Sequence, residues 1–384
     1  MNARERLVKV LTGRPADRVP FIKLFGGDNA VHRDWERQRP GIGKEIDAVL
    51  KFEGGYRGWR ITPVNFWLCD VGQPRTLEED DAHVVQRTAD GTVWRWHKKQ
   101  DHGHEYIEFA VKSRADWERI KREFLHADDP RRFPAEWPRL VEEYRTRDYA
   151  LQLTHGGVYG FARKMMGDQA LAYAFYDDPA LVHDLMDSYT DMLIALWERM
   201  TAVVQFDLIE CWEDMACRTG SIISPATFRE FLLPNFRKVS RFAREHGIPI
   251  VMVDCDGLIE DLTGLMIEGG VTAMYPYEVQ SGNDPFRVRR RFPTFAMLGG
   301  LDKQCMARHT AGDTRAIDAE MAKARRLIEL GRFIPAPDHF VLSDVSWESY
   351  RIFMEKLREV VMTTRPGVSA AQDRPGPCMA GEAG

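Results

Sequence analysis

From about residue 148 onward the chain repeats one unit: a short apolar run, a polar loop, then a stretch with helical spacing. No other feature narrows the fold as much. Strands buried on both faces read as continuous apolar runs, and a helix must carry the chain back before the next parallel strand. The runs are YALQL at 149–153, FDLIE at 206–210, PIVMV at 249–253, VTAMY at 271–275, TFAML at 294–298 and RFIPA at 332–336. Helices are expected at about 170–200, 225–245, 258–268, 284–291, 314–330 and 346–362. This alternation predicts a parallel sheet with right-handed crossovers. With an early strand from Val19 to Phe25, the count approaches the eight of a (β/α)8 TIM barrel. An open doubly wound sheet is the alternative. No Gly-rich phosphate loop follows the first strand, which counts against a dinucleotide-binding domain.

The remaining segments decorate that frame. ARERLVKVLTG has helical spacing and stops at Gly13, and residues 27–67 read as irregular with short helices. VVQRTADGTVWRW carries β-type residues on both sides of Asp90-Gly91, a hairpin signal, and EYIEFAV adds a strand. Residues 82–110 are therefore expected to form a small antiparallel meander inserted into a single domain spanning 1–365. Residues 366–384, rich in Pro, Gly and Ala, read as a disordered tail.

Charge removes whole classes of function. The 53 Lys and Arg nearly cancel the 58 Asp and Glu, so bulk electrostatic attraction to nucleic acid is not expected. No run of about 18 apolar residues offers a membrane span. The opening MNARERLVKV is charged at once, and six cysteines lack framework spacing, so a cytoplasmic protein with reduced thiols is the expectation.

In a barrel of parallel strands the chemistry gathers at the C-terminal strand ends. Those ends carry His155, then Glu210 with Glu213 and Asp214, then Asp254-Cys255-Asp256, then Tyr275 and Tyr277, then Asp302-Lys303, then Asp338-His339. Any one of these could be a helix cap or turn former. Their convergence on successive strands is what expects an acid–base or metal mouth. Glu210, Asp254, Cys255 and His339 are donor types that could hold a metal. Strand alternation puts Asp254 and Asp256 on one side and Cys255 on the other. The His102-Gly-His104 pair reads more simply as a solvated loop than as a ligand pair.

At this point the motifs resemble a family. RERLVKVLTGRPADRVPF is similar to the N-terminal signature of the uroporphyrinogen decarboxylase superfamily. GFARKMMGDQALAYAFYDDPALVHDLMD and FDLIECWEDMACRTGSIISPATFREFLLPNFRKV resemble two internal blocks. VDCDGLIEDLTGLMIEGGVTAMYPYE, GGLDKQ and GRFIPAPDHFVLSDVSWESY continue the likeness in order. The resemblance implies a (β/α)8 barrel and an enzyme of one of two kinds. One is a cofactor-free porphyrinogen decarboxylase. The other is a methyltransferase working between a corrinoid carrier and a small acceptor, with zinc at its site.

The decarboxylases use an early Arg-Gln-Ala-Gly-Arg-Tyr motif to hold substrate carboxylates. Here Phe25-Gly26-Gly27-Asp28-Asn29 stands in that place, without the guanidinium pair that many carboxylates require. Lys23, Arg33, Arg37 and Arg39 are the substitute carboxylate binders available nearby. The zinc members carry His-x-Cys where this chain has Asp254 and Asp256, and a Cys where it has Pro337-Asp338-His339. Hard oxygen donors would favour a different divalent metal or none.

The expectation is thus a methyltransferase-type enzyme acting on a small methylated or carboxylated molecule. Asp254, Glu210 and His339 would be catalytic or would hold a divalent metal, zinc or another. Asp256, Tyr275, Tyr277, His155 and Lys303 would face the substrate. A corrinoid on a partner protein would be methyl donor or acceptor, and a homodimer is an open assembly. A uroporphyrinogen decarboxylase and a non-catalytic barrel binding a ligand or a corrinoid protein are the alternatives.

Overall fold

The computed structural model describes residues 1–24, 29–54, 57–69, 72–98, 104–309 and 312–368. All six C-terminal apolar runs form strands, each starting one or two residues later than expected. The parallel sheet comprises β1 (Trp59–Ile61), β2 (Ala150–His155), β3 (Leu208–Trp212), β4 (Ile250–Asp254), β5 (Ala273–Tyr277), β6 (Ala296–Leu301) and β7 (Phe333–Pro337). They are hydrogen-bonded in that order, every pairing parallel. No residue of β2 to β7 is exposed, because helices cover the outer face and the sheet's own side chains fill the inner one.

The sheet is strongly curled. The Trp59 and Tyr275 rings lie 5.5 Å apart although their strands are four places apart in the sheet. In a flat sheet that separation would be about 19 Å at ~4.8 Å per strand. The first helix, Ala3–Leu11, spans the bottom and ties the two sides together. Its Arg4 Nε donates to Asp207 Oδ1 at 2.8 Å just before β3, and the Leu11 carbonyl accepts from Arg332 at 3.1 Å just before β7. Asn2 and Glu5 form a capping box that starts this helix.

Three expectations need correction. Among the described residues the parallel sheet has seven strands. Within Val19–Leu24 only Lys23 forms a ladder bridge, and Phe25 to Asp28 lie outside the described residues. An edge strand comes instead from Trp59–Ile61, inside the stretch expected to be irregular. The meander has four strands, Arg75–Glu79, His83–Arg87, Val93–His97 and His104–Glu108, so it begins earlier than residue 82. The first strand was missed because all five of its residues are exposed and carry no apolar alternation. The long helix expected at 170–200 is divided at Asp178-Pro179, where the aspartate caps a new helix and the proline fills its first turn. His102 and residues 369–384, including Cys378, lie outside the described residues.

Prolines sit where a ladder tolerates them. Pro335 and Pro337 are on β7, at the edge of the described sheet, and Pro276 falls where the β5–β6 register shifts between Met274 and Tyr277. No helix of the described residues is long and apolar enough to cross a membrane.

Asp207 organises the bottom of the sheet. It accepts from Arg4, from the Arg147 guanidinium at 2.9 Å and from the Leu151 backbone at 3.0 Å. Asp207→Ala would leave the almost fully buried Arg147 charge without its carboxylate. The expected loss is about 3–5 kcal/mol of unfolding free energy, read from the shift in urea midpoint.

Candidate active site

The interior of the curled sheet is not wholly apolar. Gln152 on β2, Glu210 on β3, Asp254 on β4 and Tyr275 on β5 meet there in one hydrogen-bonded set. Each stands on a strand whose other residues are mostly apolar. The Tyr275 hydroxyl donates to Glu210 Oε1 at 2.5 Å, and the Gln152 amide donates to Glu210 Oε2. Gln152 is itself oriented by the Trp59 indole N–H, which donates to its oxygen at 2.6 Å. Arg57 Nη1 donates to the Tyr275 oxygen at 2.6 Å and lies 4.0 Å from both Glu210 Oε1 and Asp254 Oδ2.

Two carboxyl groups this close and this dry cannot both ionise freely. Burial first, and the Glu210 charge second, push Asp254 well above the usual carboxylate range, and Arg57 offsets only part of this. Asp254 therefore keeps its proton much further toward neutral pH than an exposed aspartate does. Glu210 accepts a hydrogen bond on each oxygen, from Tyr275 and from Gln152.

Above this set opens a cavity of about 520 Å³. Arg57, Glu210 and Asp254 reach it from one side, and Phe66, Trp67, Tyr106 and Trp212 are its aromatic lining. Tyr106 comes from the last meander strand. Lys164, from the helix Val158–Met166, stands at the same cavity with its ammonium donating to the Tyr106 hydroxyl at 3.0 Å.

The loop after β2 allows this closeness. A Cβ on Gly157, which has φ 86°, would come within 1.8 Å of the Trp212 carbonyl, and one on Gly160 within 2.2 Å. Only glycine lets the helix start abut the end of β3. The buried Glu213 then accepts from the backbone N–H groups of Val158, Tyr159 and Gly160. Burial nevertheless pushes its carboxyl up to about 7, those three donors working in the opposite direction.

The expected site residues are divided by the structure. Glu210, Asp254 and His155 line the cavity, and Tyr275 joins them through its bond to Glu210. His155 is fully buried, accepts from the Gly157 N–H at 2.9 Å, and is held neutral by burial, its pKa pushed down to about 3. His339 and Asp256 instead pair with each other at 3.1 Å, and Asp256 lines a neighbouring cavity with Cys217, Glu278 and Asp302. The strand ends at Asp254, so simple alternation no longer governs where Asp256 lies. The Tyr277 hydroxyl is also absent from the cavity lining. The register shift at Pro276 parts it from Tyr275, and its charged surroundings are Glu260, Asp284, Arg287 and Arg289. Lys303 gives its backbone N–H to the buried Asp338 at 3.2 Å.

Among the described residues no three His, Cys, Asp or Glu side chains are grouped to hold a metal ion. The proposed set of Glu210, Asp254 and His339 thus lacks the geometry a metal would need. His104 is packed among Trp94, Trp96 and Tyr106 rather than solvated.

Arg57, Gln152, Lys164 and the aromatic lining were not foreseen. Gln152 was findable, since a lone amide within an apolar parallel strand must have a buried partner. Arg57 sits in a segment without periodicity and gave no such sign.

Glu213 supplies a pH test. Its carboxyl is raised in the folded state, so the folded chain binds more protons than the unfolded one between about pH 4.5 and 7. Its contribution to stability is full below that window and is lost as pH rises through it. Glu213→Gln should flatten that part of a stability-against-pH curve measured by urea denaturation.

A family model for uroporphyrinogen decarboxylase (URO-D) matches residues 110–360. A methyltransferase from Methanosarcina mazei superposes with a TM-score of 0.55 at 13% identity, covering 94% of this chain and 99% of that one. A protein described as a vitamin-B12-independent methionine synthase from Listeria monocytogenes reaches a TM-score of 0.33 at 12% identity, over 58% of this chain and 69% of that one, too low to carry an argument. No curated protein matches. With its matched span covering all of β2 to β7, the chain belongs to the uroporphyrinogen decarboxylase (URO-D) family.

Proposed function

We propose that this chain is a methyltransferase-type enzyme that moves a methyl group from a small heteroatom-bearing substrate, with Asp254 as the proton donor. The observation that carries this reading is the Asp254–Glu210 pair at the floor of an aromatic cavity. Burial and the Glu210 charge favour the protonated form of Asp254, and Glu210 accepts hydrogen bonds on both oxygens. Demethylating an oxygen or nitrogen leaves that heteroatom needing a proton, and a buried acid in reach supplies one. The fold likeness to a methyltransferase is compatible with this reading.

The roles follow from the geometry. Asp254 delivers its proton to the heteroatom as the methyl group departs. Glu210, held by Tyr275 and Gln152, keeps the neighbouring field negative and so keeps Asp254 protonated before reaction. Arg57 offsets the negative charge left on Asp254 afterwards. The aromatic walls exclude water from the exchange. A corrinoid on a partner protein, once docked at the open mouth, would supply the methyl acceptor. No step is routed through a metal, because the described donors do not form a set. We also take the sheet to be most of a (β/α)8 barrel, closed beside β1 by the segment ending at Leu24. The backbone bond from Arg57 N–H to the Lys23 carbonyl, 3.0 Å, supports this.

Porphyrinogen decarboxylation has less support. Three of the four cationic groups available for it are engaged elsewhere: Lys23 with Asp47 at 3.4 Å, Arg37 with Asp34, and Arg39 with Glu45 at 3.5 Å. The cations in the cavity lining are instead Arg57 and Lys164.

The decisive experiment supplies reduced cobalamin and a panel of small aromatic methyl ethers and methylamines, with methyl transfer followed by the cobalamin absorbance change. Asp254→Asn should lower the rate about 10²–10⁴-fold on any substrate that turns over, and Glu210→Gln should lower it similarly. Absence of transfer across the panel, together with conversion of uroporphyrinogen to coproporphyrinogen, would reverse the assignment.

A further inference from the structure

We infer that Lys164 and Tyr106 form an anchor for a carboxylate, so that the substrate of this cavity is a small planar carboxylic acid rather than a neutral or cationic molecule. The inference rests on the functional reading above and names the substrate class for it.

Among the described residues no carboxylate lies within 4 Å of the Lys164 ammonium. Its ammonium instead donates to the Tyr106 hydroxyl at 3.0 Å and lies 5.0 Å from the Tyr106 ring and 5.1 Å from the Trp212 ring. Asp214 is near enough to interact electrostatically, but it is bound by Arg163 at 3.4 Å. Two aromatic faces hold the ammonium in place without neutralising it. An ammonium has three N–H donors, and only one is used by Tyr106. The others are available to an anion entering the cavity.

The walls set the shape of the rest of the ligand. Phe66, Trp67, Tyr106 and Trp212 line a space of about 520 Å³. Trp67 is fixed by edge contacts to Phe161 and Tyr189 at 5.1 and 5.9 Å, and it presses on Gly156 so closely that a Cβ there would come within 2.6 Å of the indole. Rigid rings favour a flat ligand that can stack or meet them edge-on. A planar acid with its carboxylate on Lys164 would present its other end toward the carboxyl pair of the floor.

The anchor also assigns a purpose to the meander. Tyr106 lies on its last strand, before the family-matched span begins at residue 110. The residue that holds Lys164 therefore comes from a segment outside that matched span, where substrate choice can change without touching the Glu210–Asp254 floor.

Binding can be read without turnover, through quenching of tryptophan fluorescence in the full-length chain. Benzoate, benzamide and cyclohexanecarboxylate are the probes. Wild-type protein should bind benzoate at least tenfold tighter than benzamide, about 1.4 kcal/mol, and severalfold tighter than cyclohexanecarboxylate. Lys164→Met should erase the benzoate preference while leaving benzamide unchanged, Lys164→Arg should keep most of it, and Tyr106→Phe should reduce it. Thermal melting checks that each variant is folded.

Equal affinity for benzoate and benzamide, a preference that survives in a folded Lys164→Met variant, or no binding of either would overturn the anchor. Equal affinity for benzoate and cyclohexanecarboxylate would overturn the planar requirement. If methyl transfer fails while the carboxylate preference stands, the proposed reaction falls and the anchor does not.

Discussion

A carboxylate buried inside a curled, largely hydrophobic sheet has to be compensated, and Glu210 is where this molecule meets that requirement. Its two oxygens are taken by Tyr275 and Gln152, with Arg57 close by. These groups come from four separated stretches of chain. The set can exist only if the sheet curls far enough to bring β1 opposite β5. The same curl creates the cavity, raises the proton affinity of Asp254, and places Trp59 where it orients Gln152. Removing one partner from such a buried set costs more than the bond itself, because the remaining groups stay dehydrated.

Close packing around that set is achieved by omission of side chains. Gly157 and Gly160 let a helix end press against Trp212, and Glu213 accepts from the backbone N–H groups of that helix end. The helix is consequently aimed so that Lys164 reaches the cavity. Positive charge at the rim and acid at the floor are thus properties of one rigid arrangement, not of a flexible loop. The meander completes it from outside the sheet by contributing Tyr106.

Much of the frame was legible. The apolar runs of β2 to β7 have no reading other than strands buried on both faces, and the helices between them leave only a parallel sheet. Glu210, Asp254 and Tyr275 were identifiable because each lies at or close to a C-terminal strand end. His339, Asp256 and Tyr277 met the same criterion yet do not line this cavity. Position along a strand sets height in the sheet, but a bulge or turn within two residues decides direction. The register shift at Pro276 and the turn at Gly257 are such places. Arg57 and Lys164 escaped for the opposite reason. They lie away from strand ends, and only folding brings them to the site.

The amino-acid sequence by itself determined the alternation of strands and helices and carried, in the order of its motifs, the likeness to the family. The first follows from periodicity and residue type, the second from short stretches of chain, and both are local properties. The tertiary structure alone decided that Asp254 would pair with Glu210 and not with His339, and that no metal set would assemble among the described residues. It also decided that one uncompensated lysine would face the cavity. Those outcomes depend on distances between groups far apart in the chain, and such distances are set by the curl of the sheet.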